Sequence, residues 1–118
     1  MFTQEERGEL IRRVTEDLPN VEVDCSADLL AEYAKRKGSC VIVMGLRAGS
    51  EFENEFQMAL INHKINPDLD TMFLTAESQF MYLSSSTVKE LAGYGVELSD
   101  FLPEAIIPDV QERIKLNR

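Results

Sequence analysis

Two short segments hold residue types that could bind a phosphorylated ligand. In Met44-Gly45-Leu46-Arg47-Ala48-Gly49-Ser50, the first glycine lets a backbone approach a ligand closely. Arg47 then offers a fixed fork of donors suited to phosphate oxygens. In Ser84-Ser85-Ser86, three hydroxyls stand where a helix is predicted to begin, and the N–H groups and dipole of such an end favour anions. Each segment also has a plainer reading: an arginine at a surface turn, and a serine N-cap with two neighbours. Residue types alone leave both open.

Other chemistries find less support. The chain has one histidine, His63, and two cysteines, Cys25 and Cys40, in no metal-ligand or CxxC spacing, so no zinc site is expected. Both cysteines read as free thiols of a reducing compartment. With 21 Asp+Glu against 12 Lys+Arg, the net charge is −9, which opposes nucleic-acid backbones and anionic membrane surfaces. No local basic run offsets it, so neither partner is expected. The N-terminal residues lack a charged stub followed by an apolar stretch, and no apolar run approaches the roughly 18 residues of a membrane span. A cytoplasmic location is the expectation. A length of 118 residues predicts a single domain, 1–118, with one modest core.

The elements that must position the two segments follow from periodicity and caps. Thr3 and Glu6 predict a capping box and a helix to about Leu18, with Leu10, Ile11 and Val14 on its apolar face. Val21–Val23 predicts a short strand by alternation and β-branching. A helix over Asp28–Lys37 follows, with Leu29, Leu30, Tyr33 and Ala34 apolar and Gly38 past its end. Cys40–Val43 is a continuous apolar strand of the kind buried in parallel sheets. Ser50 with Glu53 predicts a second capping box and a helix to about Ile65, its face formed by Phe52, Phe56, Met58, Ala59 and Leu60. Asn66-Pro67 breaks it, and Thr71–Leu74 is the next strand. The serine cluster opens a helix to about Ala92, ended by Gly93 and Gly95, and a last helix covers Asp109–Leu116. Alternating strands and helices predict an α/β domain with a parallel sheet. Ligands of such sheets sit beyond the strands' C-terminal ends, where both segments fall, so the two are expected to converge at one sheet edge.

Longer motifs carry a resemblance. Met1-Phe2-Thr3-Gln4-Glu5-Glu6-Arg7 resembles the F-[ST]-x-E-E-R helix start of bacterial phosphopantetheine adenylyltransferases. Gly45-Leu46-Arg47-Ala48, Phe52-Glu53, Glu55 and Gln57-Met58-Ala59 are similar to that family's R-G-L-R-A-x-x-D-F-E-x-E-x-Q-x-A block. Phe80 to Glu90 resembles its aromatic-rich loop ending I-S-S-S-x-V-K-E, and Phe101-Leu102-Pro103 echoes its F-[VL]-P. The matches run in order from Met1 to the tail.

The resemblance implies a Rossmann-like nucleotidyltransferase fold and a reversible transfer. The phosphate of 4′-phosphopantetheine attacks the α-phosphate of ATP, giving dephospho-CoA and pyrophosphate in coenzyme A biosynthesis. It implies that Gly45, Leu46 and Arg47 line the ATP site, with Arg47 on phosphate, and that Glu55 faces the nucleotide. Phe80, Met81, Tyr82, Leu83, Ser84, Ser85 and Ser86 would wrap the adenine and hold the β,γ-phosphates. Leu30 falls in the family's pantetheine pocket, where plain core packing is the alternative. Mg²⁺ is implied as a companion of ATP, as are CoA feedback binding and a homohexamer.

The resemblance covers the family's C-terminal two-thirds. Its opening strand–helix–strand unit, with the H-x-G-H motif, a phosphate-contacting Thr and a substrate-binding Lys, has no counterpart here. A fragment or internally started product with no catalytic residue of its own is therefore expected, with His63 an exposed helix residue. Val21–Val23 would lie two vacant strand positions from Cys40–Val43, with apolar faces and strand edges exposed. Met44 stands where the family binds the acceptor's phosphate with arginine, and Met81 where a small or hydroxylated residue is common. The alternatives to an enzyme are a non-catalytic ATP- or CoA-binding paralogue and a remnant that keeps only an oligomer interface.

Overall fold

The computed structural model describes residues 1–47 and 51–117. The Ser50 half of the expected Ser50–Glu53 capping box lies outside them, as do Ala48 and Gly49. In chain order the elements are α1 (Gln4–Thr15), α2 (Leu30–Lys37), β1 (Val41–Leu46), α3 (Glu51–Ile65), β2 (Asp70–Thr75), α4 (Ser85–Gly93) and α5 (Ile107–Leu116), with 3₁₀ turns at Ser78–Phe80 and Glu104–Ile106. They divide between two compact units, Ser26–Tyr82, and Met1–Cys25 together with Leu83–Arg118.

The unit Ser26–Tyr82 is built on a strand–helix–strand crossover. β1 and β2 pair in parallel, from Val41 opposite Asp70 to Leu46 opposite Thr75, and α3 provides the long connection that parallel strands require. The expected strand at Cys40–Val43 thus continues to Leu46, because the ladder is satisfied throughout and Ala76 N–H still donates to Leu46 O at 2.8 Å. Alternation places Ile42, Met44 and Leu46 on one face beside Phe73, all half-buried. On the other face Val41, Val43, Met72 and Leu74 are exposed, Val43 to 60%. The exposure of apolar strand faces expected from the sequence is present at these four residues.

The face expected of α3 is corrected. Phe52, Phe56, Met58 and Leu60 are all exposed, whereas Glu51, Glu55, Ala59 and Asn62 are the more buried stripe. Two strands about 5 Å apart offer a platform narrower than a helix with its side chains. The aromatic flank therefore packs mainly on itself and one strand residue, with Phe52 stacked on Phe56 at 5.7 Å and edge-on to Phe73 at 5.9 Å. The core of this unit is small: Ala31, Ala34 and Leu69, with Ile42 against them. α2 starts at Leu30 rather than Asp28 and buries its alanines, leaving Leu29 and Leu30 exposed. Gly38 closes it at φ +72°, a left-handed cap open to glycine without steric penalty.

The second unit is helical. Thr3 and Glu6 form the expected capping box, with Glu6 N–H donating to Thr3 Oγ1 at 3.1 Å and Thr3 N–H to Glu6 Oε2 at 2.8 Å. α1 ends at Thr15, whose hydroxyl donates back to Ile11 O at 2.7 Å, and the chain turns through Leu18 N–H to Thr15 O. Of its expected apolar stripe, Leu10 and Val14 are half-buried and Ile11 is exposed; the buried position is Gly8. The strand expected at Val21–Val23 does not form. Alternation and β-branching favour extended backbone, but a strand needs a ladder partner. Among the described residues none pairs with it, and Val21 N–H turns back to Leu18 O. The core of this unit gathers Ala92, Leu98, Ile107 and Val110, with Phe2, Phe101 and Ile114 packed on them. α5 begins two residues before Asp109, since Pro108 sits in its first turn, where a missing N–H costs no intrahelical bond.

Candidate functional site: an arginine after a parallel strand and a serine-headed helix

The two predicted segments fall in different units. In Ser26–Tyr82, Gly45 and Leu46 are the last residues of β1, and Arg47 follows directly. Among the described residues, a Cβ placed on Gly45 would meet nothing within 4 Å, and its φ is not positive. What glycine preserves there is open space, not an unusual backbone.

Arg47 is half-buried and held by Glu51, in the first turn of α3. Its Nε donates to Glu51 Oε2 at 3.3 Å, and its Nη2 donates to Glu51 Oε1. This side-on, two-point grip is the strong form of a carboxylate–guanidinium pair. The Arg47 hydrogen bond holds the Glu51 carboxyl below its usual range. Glu51 was not among the sequence candidates. The signal that could have found it is the four-residue spacing from Arg47 together with its place in a helix's first turn.

The other candidates in this unit occupy varied settings. Glu55 lies one turn beyond Glu51 and is half-buried. Met44 is half-buried on β1, directly opposite Phe73. Leu30, at the first position of α2, is 48% exposed, so core packing does not account for it. Phe80 ends the 3₁₀ turn after β2 and Met81 caps it; Phe80 and Tyr82 are exposed, Tyr82 to 84%. His63 is exposed, as expected, yet engaged: its Nδ1 lies 3.0 Å from Leu69 O and 3.7 Å from an Asp70 carboxylate oxygen.

In the second unit Leu83 leads into Ser84, the N-cap of α4. Ser84 Oγ accepts the Thr87 N–H at 3.1 Å and lies 2.9 Å from Thr87 Oγ1. The plain capping role is thus real for Ser84. Ser85 and Ser86 occupy the first two helical positions and are exposed. Among the described residues, α1, α2, α3 and α5 each carry an acidic residue in the first turn, and α4 carries none. The α4 dipole therefore has no counter-charge from its own first turn. The arrangement in each unit suits anion binding rather than acid–base chemistry. No group of three His, Cys, Asp or Glu able to hold a metal occurs among the described residues. No helix there is long and apolar enough to cross a membrane.

The parallel crossover, with Gly45 and Leu46 closing its first strand and Arg47 just beyond it, is that of an α/β protein, and residues 1–91 match the family described as cytidylyltransferase-like, a nucleotidyltransferase class. More particular relatives exist. The phosphopantetheine adenylyltransferase of Caldanaerobacter subterraneus subsp. tengcongensis is 49% identical over 115 residues, covering 98% of this chain and 72% of the relative. Those of Clostridium botulinum strains 657 and Langeland are 46% and 45% identical over 114 residues, each covering 97% of this chain and 70% of the relative. The chain belongs to the phosphopantetheine adenylyltransferase family.

Proposed function

We propose that this chain serves adenylyl transfer from ATP to 4′-phosphopantetheine, the reaction of coenzyme A biosynthesis that yields dephospho-CoA and pyrophosphate. The observation that carries it is likeness over 97–98% of the chain to enzymes named for that transfer. An oxygen of the acceptor phosphate attacks the α-phosphorus of ATP. A new P–O bond forms as the bond to the bridging oxygen breaks, and pyrophosphate leaves with the electron pair. Such a step asks for positioning and charge neutralisation more than for proton transfer.

The chain's own residues fit those tasks. Arg47 supplies a fork of donors for ATP phosphate, beside the backbone of Gly45 and Leu46. Glu55 faces the nucleotide. Phe80, Met81, Tyr82 and Leu83 contact adenine, and Ser84, Ser85 and Ser86 present hydroxyls and N–H groups to the β- and γ-phosphates. Leu30 lines the acceptor's path, and Met44 occupies the place of its phosphate contact. Mg²⁺ enters as MgATP, bound through the nucleotide's own oxygens. Assembly as a homohexamer, CoA binding and a cytoplasmic location belong to the same reading.

The test is a thermal shift with MgATP, followed by pyrophosphate release on adding 4′-phosphopantetheine. Stabilisation by MgATP that Arg47→Ala abolishes is expected. A shift that survives Arg47→Ala removes Arg47 from the site. One observation favours a second reading, nucleotide binding without transfer: Met44 brings a thioether where charge is needed. Stabilisation by MgATP without pyrophosphate release selects it.

A further inference from the structure

Glu51 stands out because the mechanism does not use it, yet it occupies the group that the mechanism needs most. Both oxygens of its carboxylate engage Arg47, at Nε and Nη2. A phosphate presents the same pattern to a guanidinium: two anionic oxygens spaced to accept a pair of parallel N–H bonds. The Glu51 carboxylate is therefore an internal mimic of the ligand. The surrounding charge sharpens this, because Glu53 shares its helical turn and Glu55 lies one turn on. A triphosphate arriving while Glu51 remained bound would bring like charges together around one guanidinium. At the few ångströms involved, with both groups only partly exposed, such repulsion is not screened away by salt.

We propose that Glu51 is an affinity-setting positioning residue: it holds Arg47 when nucleotide is absent and must be displaced by the phosphates of ATP, making nucleotide entry an exchange of one anion for another. This rests on the reading of Arg47 as a phosphate contact. The exchange has two consequences. It keeps the Nε–Nη2 edge of the guanidinium oriented at the end of β1. It also lowers the affinity for any ligand too weakly anionic to displace a carboxylate, so the pair favours triphosphates.

The deciding experiment titrates MgATP into the full chain and three variants, with affinity read by calorimetry. Glu51→Gln should tighten MgATP binding by roughly threefold to tenfold, the order expected when a charged competitor at a half-exposed pair is neutralised. Loss of structure does not produce a gain in affinity. Glu53→Gln removes the same charge from the same turn and should change affinity by less than about twofold. In the unaltered chain, the Arg47 Nε–H resonance should move on saturation with MgATP as its partner changes.

Unchanged or weaker binding by Glu51→Gln overturns the proposal, as does an equal gain in Glu53→Gln or an unmoved Arg47 resonance. Failure of the underlying reading looks different. A chain that does not bind MgATP, or whose binding is untouched by Arg47→Ala, removes Arg47 from the phosphate site and the exchange with it.

Discussion

Arg113 on α5 grips Glu6 on α1 through two hydrogen bonds, 2.8 Å from Nη2 to Oε1 and 3.0 Å from Nη1 to Oε2, across 107 residues of sequence. The same carboxylate accepts the Thr3 N–H at 2.8 Å, so one side chain both caps a helix and ties the two ends of the chain. The Arg113 guanidinium also lies over the Phe2 ring, 4.7 Å from its centroid.

This arrangement makes the helical unit acid-sensitive. The Arg113 hydrogen bonds, and next the Thr3 N–H, lower the Glu6 pKa from 4.5 to about 2. A depressed carboxyl contributes stability that is present above its unfolded value and lost as pH falls through the folded one. The loss therefore runs from about pH 4.5 down to about pH 2. Asp109, held low by Arg13, adds to it in the same direction. Glu6→Gln should flatten this part of the acid unfolding curve, followed by circular dichroism. A curve identical to that of the unaltered chain would count against the pairing.

Gly8 meets a different constraint. A Cβ at this position would lie 2.9 Å from Cys25 Sγ, closer than real contacts allow. In an open helix Gly→Ala gains about 1 kcal/mol, while overpacking costs about 1–3 kcal/mol. Gly8→Ala should thus be neutral to destabilising by up to about 2 kcal/mol, the difference of those two values. In a Cys25→Ala background the same change should become stabilising. Urea midpoints of the four proteins give the sign, and its failure to reverse would show that Cys25 is not the obstacle.

Asn66 joins α3's end to α2 inside Ser26–Tyr82. It is 4% exposed, its Nδ2 donates to Ala31 O at 3.2 Å, and its Oδ1 accepts the Asp68 N–H at 3.2 Å. Asn66→Ala should destabilise the chain by about 1–3 kcal/mol, the usual cost of stranding buried polar groups. Asn66→Asp should be at least as damaging, since a carboxylate cannot donate to Ala31. Thermal unfolding of both variants provides the comparison.

Met44 offers a gain-of-function test of the acceptor side. If phosphopantetheine's phosphate lies at this position, Met44→Arg should strengthen its binding by about ten- to a hundredfold, matching about 1.5–3 kcal/mol for a hydrogen bond to a charged group. Calorimetry with 4′-phosphopantetheine measures it. No gain in a folded variant would separate Met44 from that phosphate.

Much of the molecule was legible because its signals are local. The Thr3–Glu6 box, the left-handed Gly38 and the serine head of α4 are decided by neighbours three or four residues away, so a chain read in one dimension contains them. The apolar run at Cys40–Val43 likewise announced a parallel strand, which forms from Val41, and the motifs around Arg47 and Ser84–Ser86 announced the family. The Arg47–Glu51 pair obeys the same short-range rule, a four-residue spacing that ends in a helix's first turn.

Residue order alone thus specifies which backbone segments become helix and which family they belong to. The tertiary structure decided which faces those elements bury and whom their charged groups meet. Val21–Val23 has the alternation of a strand but forms none, because pairing is supplied by another segment and not by the residues themselves. Phe52 and Phe56 have the spacing of a core stripe but stay exposed, because a helix buries only what the sheet beneath it is wide enough to cover. Glu6 and Arg113 carry no mark of each other in sequence; only folding brings opposite charges 107 residues apart to within 3 Å.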